Sequence, residues 1–262
     1  MLDIIVANAP IFLLVAVRCF TLIQTLPLLS AESVPRVARV ALAGYMAFLV
    51  LPRAISAGWN VNPYSLDYIL LLIGEGLIGI ITGFYITLIF STFSSAGQFF
   101  TYQMGFGASQ VYDALSQVEN PLMGQYLNLI AMLMFLETGG FQKIFLGGVL
   151  RSFQSFNAYA LVTHREDFMN FLLGGLSNLF LDAMIIAMPL IGTLFLIAIC
   201  MGILSKAAPQ MNLLSEGLPI TILVAFLLLM YLLPVMCTAF ISLFNQSFTK
   251  IQDLLILIGN PL

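Results

Sequence analysis

Residues 218–248 read LPITILVAFLLLMYLLPVMCTAFISLFNQSF, and none of these residues is charged. An α-helix that spans a bilayer needs about 20 apolar residues, because the hydrocarbon core is about 30 Å thick. The stretch exceeds this length and contains Pro234 well inside it. It therefore predicts a long apolar helix that is kinked near Pro234, since proline removes a backbone donor and clashes with the preceding turn.

Five more apolar segments precede this one. They are Ile4–Leu29, Val37–Leu51, Leu66–Phe93, Leu122–Leu136 with a continuation to about Leu150, and Phe168–Leu204. The first is predicted to be a retained first helix, and the second is short for a span. The fifth is too long for one straight span and is predicted to break near Pro189. A shorter apolar run, Ile251–Ile258, follows the last segment.

The composition agrees with these segments. Of the 262 residues, 61% are hydrophobic and only 8% are charged, and the mean hydropathy is +1.04. Soluble domains carry about 25% charged residues. We predict an all-α, integral-membrane-class fold of long kinked helical hairpins, in a single domain over residues 1–262. The net charge is −3 without a basic patch, so nucleic acid is not an expected partner.

The distribution of Lys and Arg does not define a topology. With six alternating spans, basic residues would lie in connections on both sides of the membrane, and neither side has an excess. This distribution argues against a simple six-span arrangement.

The most unusual stretch is the predicted connection Ser94–Pro121, SSAGQFFTYQMGFGASQVYDALSQVENP. Connections usually have about 4–6 residues, and much longer ones are functional or disordered. Its aromatic and methionine content argues against disorder. One interpretation is a re-entrant, plug-like segment at a pore axis, where non-helical backbone is tolerated and apolar side chains exclude water. The other is a pair of short interfacial helices, and both remain open.

Four charged residues lie within apolar segments: Arg18, Glu75, Glu137 and Asp182. A charge at the bilayer centre costs about 2.5–3.5 kcal/mol on the insertion scale, so each is expected to face protein or water. They either form an ion relay or pair structurally, and structural pairing is favoured. Gly79 and Gly83 form a small-xxx-small pair that permits close approach of another backbone.

Nothing in the sequence indicates a catalytic or metal site. Cys19, Cys200 and Cys237 are far apart, each within an apolar run, and lack metal-ligand spacing. His164 is the sole histidine and is expected to be an exposed loop residue. No hydrolase, metalloprotease or phosphate-binding motif is present. We expect a non-enzymatic protein without cofactor or metal.

The stretch 204–219, LSKAAPQMNLLSEGLP, resembles a connection of the FliR family of flagellar export-gate proteins and their type III secretion homologues. The basic residue, Pro-Gln and Gly-x-Pro of the family pattern fall on Lys206, Pro209-Gln210, Gly217 and Pro219. The resemblance continues along the chain, at Arg18, Pro27, Pro35, Arg39, Glu75, Gly79, Gly83, Phe84, Gly97, Gln103, Met104, Gly105 and Pro121. Asp113-Ala114 and Gly140-Phe141 differ from pairs that are frequent in the family.

The resemblance implies a non-enzymatic subunit that helps form and plug the protein-conducting channel of the flagellar export gate. It implies FliP-like and FliQ-like partner subunits, an FlhB-like switch protein, unfolded export substrates, membrane lipid, and the bacterial inner membrane at the flagellar basal body. Residues 1–200 would correspond to a FliP-like part with pore loop 94–121, and 201–262 to part of a FliQ-like hairpin.

The resemblance also implies roles for individual residues. The plug loop would contain Gln103, Met104, Gly105, Phe106, Gly107, Tyr112 and Asp113. Subunit packing would involve Arg18, Arg39, Glu75, Gly79, Gly83, Lys206, Pro209, Gln210, Gly217 and Pro219.

Other functions stay open at this point. The equivalent subunit of a virulence injectisome would carry the same motifs. A stand-alone ion-coupled transporter would use the four charges, but no inverted repeat is evident. An intramembrane enzyme lacks motifs, and a simple membrane anchor leaves the Ser94–Pro121 stretch unexplained.

Overall fold

A computed structural model describes residues 8–30, 34–56, 63–105, 122–155, 158–207 and 216–259. These residues are helical almost throughout and include no β-strand, which confirms the predicted all-α class. The helices are α1 (Ala9–Thr25), α2 (Pro27–Ser30), α3 (Arg36–Ser56), α4 (Leu66–Gln103), α5 (Leu122–Glu137), α6 (Gly140–Lys143), α7 (Arg151–Ser155), α8 (Ala158–Thr163), α9 (Arg165–Ala207) and α10 (Leu218–Gly259). A π-helical segment, Ile144–Leu150, connects α6 to α7.

Four of the described helices are long and apolar enough to cross a membrane: α3, α4, α9 and α10. A fifth candidate is α5 taken together with the helical segment after it, Gly140–Phe153, although the two are bent by 66°. The bend occurs at Gly139, whose φ of +67° lies in the left-handed region that favours glycine. The predicted continuation of this apolar segment to about Leu150 is therefore helical, but it follows a bend.

Three further boundaries differ from the sequence-based predictions. Helix α9 continues through Pro189 without a break, because one missing backbone hydrogen bond does not outweigh the bonds of the surrounding turns. Helix α3 extends through Pro52 to 21 residues and is not short. Helix α1 ends at Thr25, where Leu26 adopts an extended conformation immediately before Pro27.

The predicted connection Ser94–Pro121 begins later than expected. Helix α4 continues through Ser94 to Gln103, so ten residues assigned to the connection are helical. They include Phe100 and Thr101, which are buried, and this burial extends the helix beyond its continuous apolar run. Residues 106–121 lie outside the described part of the chain.

The chain divides into two compact units. The first comprises Met1–Ile89, Leu136–Leu176 and Phe244–Leu262. In this unit, one face of α3 packs against α1, and the ring of Tyr85 stacks on that of Phe171 with centroids 4.0 Å apart. The packed face of α3 carries Arg39, Ala43, Ala47, Val50, Leu51 and Ala54.

Helices α1 and α4 also approach closely within the first unit. A Cβ atom built at Gly79 would lie 2.5 Å from the backbone oxygen of Arg18. One built at Gly83 would lie 3.1 Å from the backbone oxygen of Leu22. The small-xxx-small pair therefore brings α4 against the backbone of α1, as its spacing predicts.

The second unit comprises Phe90–Phe135 and Ser177–Leu243. Its core contains a group of buried aromatic rings, in which Phe240 lies 5.0 Å from Phe93 and 5.8 Å from Phe90 between centroids. Phe90 also packs on Phe135 at 5.3 Å in an edge-on arrangement. Such pairs add about 0.5–1.5 kcal/mol beyond the apolar area they bury.

We predict that Gly79→Ala destabilises the protein by about 1–3 kcal/mol, because the new methyl group collides with helix backbone that has no room to move. Gly44→Ala is the matched control, since nothing lies within 4 Å of a Cβ atom at that helical position. Thermal unfolding in detergent, followed by circular dichroism, measures both variants. Equal melting temperatures for the two variants would contradict the close α1–α4 packing.

Candidate functional site

A buried ion pair joins α1 to α4. Arg18 Nε donates a hydrogen bond of 2.6 Å to Glu75 Oε2, and Arg18 Nη2 contacts the same oxygen. Arg18 is 1% exposed and Glu75 is fully buried. The two residues are 57 positions apart in the sequence, so the sequence identified both charges without pairing them.

The remaining polar atoms of the pair are also bonded. Arg18 Nη1 donates to Ser152 Oγ at 2.9 Å, and the guanidinium lies 3.9 Å from the centroid of the Phe153 ring. The backbone N–H of Ala158 donates to Glu75 Oε1 at 3.0 Å. The pair therefore connects α1, α4, α7 and the start of α8.

Sequence reasoning missed Ser152, Phe153 and Ala158, because no pattern links them to Arg18. One signal was present: Gly74 directly precedes Glu75. A Cβ atom at Gly74 would collide with Ala158, so this glycine lets the backbone of α8 reach the Glu75 carboxylate. The arrangement supports structural pairing of Arg18 with Glu75.

Glu137 and Asp182, the other two charged residues within the predicted apolar segments, are not part of this ion pair. Glu137 is the last residue of α5 and is exposed. Asp182 is half-buried on α9.

Arg39, in the first unit, forms a second set of polar contacts between helices. Its Nη1 donates to Gln24 Oε1 at 3.3 Å, and its Nη2 donates to the backbone oxygen of Ser30 at 3.1 Å. The Ser30 carbonyl ends α2, so the arginine ties the start of α3 to the end of the α1–α2 segment.

The two glycines assigned to subunit packing are also engaged within the chain. Gly79 lies against Thr21 and Gly83 against Thr25, both on α1. The Thr87 hydroxyl donates to the backbone oxygen of Thr25 at 2.8 Å, which adds a polar contact along the same interface.

A second feature lies in the second unit, where α4 ends. Gln103 is the last helical residue, and the N–H of Gly105 donates to the Tyr102 carbonyl at 3.2 Å. Gly105 has φ +87°, which favours glycine, and a Cβ atom there would also collide with Leu218. Met104 is fully buried beside this turn.

This turn borders a cavity of about 270 Å³. The Gln103 amide and the Thr221 hydroxyl are its polar side chains, and the rest of its lining is glycine or apolar. The lining residues are Gln103, Met104, Gly105, Leu194, Ala198, Met201, Gly202, Gly217, Leu218 and Thr221. Gly217, which the resemblance singled out, thus lines the same cavity as Gln103, the first of the residues assigned to the plug.

The remaining predicted site residues fall into two groups. Lys206 is exposed in the last turn of α9, where a cation complements the helix dipole, and Pro219 is exposed in the first turn of α10. The other group lies outside the described residues: Phe106, Gly107, Tyr112, Asp113, Pro209 and Gln210.

His164 is half-buried and not fully exposed as expected. It lies between α8 and α9, and its Nδ1 is 3.0 Å from Asp167 Oδ2. Its backbone oxygen accepts the N–H of Phe168, so the residue helps begin α9. Among the described residues, no three His, Cys, Asp or Glu side chains group in a way that would hold a metal ion.

These features define an all-α membrane-class protein whose apolar helices are joined through a buried ion pair. The sequence pattern of the bacterial export proteins, family 1, matches residues 9–247. The chain therefore belongs to the FliR family of bacterial export proteins and is a flagellar export component. This result confirms the resemblance drawn from the motifs.

Several relatives match along most of their length. The flagellar biosynthetic protein FliR of Bacillus subtilis (strain 168) is 28% identical over 256 residues, covering 95% of this chain and 96% of the relative. FliR of Escherichia coli (strain K12) is 27% identical over 238 residues, covering 91% and 90%. FliR of Borreliella burgdorferi is 30% identical over 165 residues, covering 63% and 61%.

We predict that Arg18→Met destabilises the protein by about 3–5 kcal/mol, because it leaves Glu75 as an uncompensated buried charge. The double variant Arg18→Met/Glu75→Gln is expected to recover much of this loss, since the glutamine oxygen still accepts the Ala158 N–H. Denaturant unfolding in detergent measures both. Lys250→Met, at an exposed cation, is the control and is expected to change stability by less than about 0.5 kcal/mol.

A double variant no more stable than Arg18→Met would contradict this account. It would mean that the cost lies in lost packing around Phe153 and Ser152 and not in the unpaired carboxylate.

Proposed function

We propose that this protein is a non-enzymatic subunit of the flagellar protein export gate, and that it helps form and plug the protein-conducting channel across the bacterial inner membrane. Its membership of the FliR family supports the flagellar role. The apolar helices support its location in a membrane, and we place it at the flagellar basal body.

One observation carries the proposal: the exposed apolar surface is longer than a bilayer is thick. Leu223 and Leu257 on α10 are 63% and 55% exposed. They lie 34 residues apart on a continuous helix, about 51 Å along its axis. This helix length exceeds the about 30 Å of hydrocarbon that a bilayer offers.

Lipid therefore covers only part of this helix, and other protein must cover the rest. In the most apolar windows of α9 and α10, only 17% of residues are buried within the chain. Long helices whose apolar faces are not covered within their own chain are expected of one subunit in a larger helical assembly. A stand-alone transporter of this size would bury more of these faces itself.

We propose that FliP-like and FliQ-like subunits form this assembly with the chain, around a path for unfolded substrates, and that an FlhB-like switch protein packs outside it. Residues 1–200 would supply the FliP-like part and 201–262 part of a FliQ-like hairpin. Lys206, Pro209, Gln210 and Pro219 would contact the neighbouring subunits, since Lys206 and Pro219 are exposed in the chain itself.

The turn at Gln103–Gly105 supports the plug role of the residues that follow. Buried Met104 anchors the end of α4, and Gly105 redirects the backbone at a φ value that other residues avoid. A firm anchor followed by a sharp turn is suited to holding a segment across a channel.

We predict that deleting Gly105–Gln117 makes the bacterial membrane leaky to ions, because the plug is lost. Membrane conductance and growth at raised salt concentration measure the effect. The matched control replaces the same residues with a Gly/Ser segment of equal length that begins with Gly105. This control keeps the length of the connection while removing the side chains proposed to seal the channel. Conductance unchanged by the deletion would argue against a plug in this segment.

We also predict that the tagged chain copurifies with FliP-like and FliQ-like subunits in one large particle, and that Lys206→Ala/Gln210→Ala reduces this recovery at least several-fold. Lys250→Ala, another exposed cation, is expected to leave recovery unchanged. Native gels of solubilised membranes provide the measurement. Normal particles from the double variant, or the wild-type chain recovered only as a homo-oligomer, would count against the proposed packing.

A further inference from the structure

The helix between α6 and α7 changes its hydrogen-bonding pattern without ending. Lys143, before the π-helical segment Ile144–Leu150, has φ −62° and ψ −44°, and Arg151, after it, has φ −70° and ψ −36°, so both have α-helical backbone. An α-helix bonds residues four apart and a π-helix residues five apart, so a π-helical turn holds one residue more. The segment is therefore an α-helix with about one extra residue. Such segments are rare and are frequent at functional sites.

The N-terminal side of this segment packs on the C-terminal part of α10, within the first unit. Lys143 Nζ donates a hydrogen bond to Asn245 Oδ1 at 2.9 Å and lies 5.6 Å from the centroid of the Phe244 ring. About one turn later, Gly147 is buried, and a Cβ atom built there would collide with the Phe248 ring. Gly147 therefore lets the segment lie directly against α10.

The residues after the segment complete the buried ion pair. Ser152 Oγ accepts the 2.9 Å hydrogen bond from Arg18 Nη1 and donates to the backbone oxygen of Val149 at 2.7 Å. The Phe153 ring lies against the Arg18 guanidinium. Arg151, directly before these residues, is exposed. The segment thus joins two sets of contacts, one with α10 and one with Arg18.

A regular α-helix of this sequence cannot make both sets of contacts. If the segment relaxed to an α-helix while Gly147 stayed in place, the residues after it would rotate by about one residue position, or about 100° around the axis. Arg151 would then take the direction that Ser152 has now, and would bring a second cation against the buried Arg18. A buried charge without a partner is strongly destabilising. Ser152 therefore keeps its place on Arg18, and the contact with α10 is the one that yields.

We propose that Ile144–Leu150 is a strained joint that lets the C-terminal part of α10 leave Gly147 while the Arg18–Glu75 pair stays complete. In the π-helical form both sets of contacts are made, against the preference of the segment for an α-helix. When α10 moves away from Gly147, the segment relaxes and its N-terminal side turns by about 100°. The two sets of contacts therefore compete through the helix. This inference concerns the first unit and does not rest on the export role.

Deleting Gly148 tests the extra residue. Among the described residues, a Cβ atom at this position would lie within 4 Å only of the Ile144 side chain, so the deletion removes no packed side chain. It is expected to leave a regular α-helix whose two ends keep their directions, with a melting temperature in detergent equal to or above that of the parent chain. Deleting Ala47, a buried small residue within the regular helix α3, is the control.

The control deletion is expected to lower the melting temperature by at least several degrees, because it turns everything after it by about 100° relative to the rest of the helix. A chain without Gly148 that is destabilised as much as the chain without Ala47 would overturn the proposal.

A double-mutant cycle tests the competition between the two sets of contacts. Phe248→Ala weakens the contact with α10, and Ser152→Ala weakens the contact with Arg18. Either substitution alone also relieves the strain, which the double variant relieves only once. The folding equilibrium constant of the double variant is therefore expected to fall more than about twofold below the product of the two single effects, beyond the usual departure for distant sites. Denaturant unfolding of the purified full chain in detergent measures all three variants.

Two controls accompany the cycle. Phe171, which stacks on Tyr85, is another half-buried phenylalanine of the first unit, and the effects of Phe171→Ala and Ser152→Ala are expected to multiply without departure. The Phe248→Ala and Ser152→Ala cycle is expected to show no departure in the chain that lacks Gly148, because a regular α-helix carries no such strain.

Independent effects in the parent chain, or an equal departure after the deletion, would overturn the joint. Both measurements report the stability of the chain itself. Unchanged membrane conductance in the plug test would therefore count against the proposed function and leave this inference intact.

Discussion

The buried Arg18–Glu75 ion pair is the interaction around which the first unit is arranged. Removing two charges from water costs several kcal/mol for each ion, and the attraction between them repays this only with good geometry and additional hydrogen bonds. Both conditions hold here, because Ser152 and the Ala158 N–H bond the remaining atoms. Four helical segments must therefore be in place together for the pair to be satisfied.

The closeness of the helices makes that geometry possible. Gly74 admits Ala158 to the carboxylate of Glu75, and Gly79 brings α4 against the backbone of α1 just beyond Arg18. A Cβ atom at either glycine would collide with the helix that packs there, so the helices could not approach as closely. The glycines and the ion pair therefore depend on each other. The glycines let the helices approach, and the ion pair supplies the specific polar contacts between them.

A second constraint is the need to cover the apolar surface that the long helices expose outside the chain. Apolar surface must leave water, and a bilayer offers about 30 Å of hydrocarbon for that purpose. Helix α3 fits within this thickness, while α10 is about twice as long. Helix length therefore decides how much of each apolar helix a bilayer can cover.

The sequence by itself determined the all-α membrane class, because low charge and long apolar runs leave no other way to satisfy the backbone in hydrocarbon. It also determined the family, through Lys206, Gly217, Pro219 and matches spread along the chain. Only the tertiary structure decided that Arg18 pairs with Glu75, that α4 continues to Gln103, and that α9 passes through Pro189. These features depend on contacts between residues distant in sequence and on burial, and neither is encoded in local composition or periodicity.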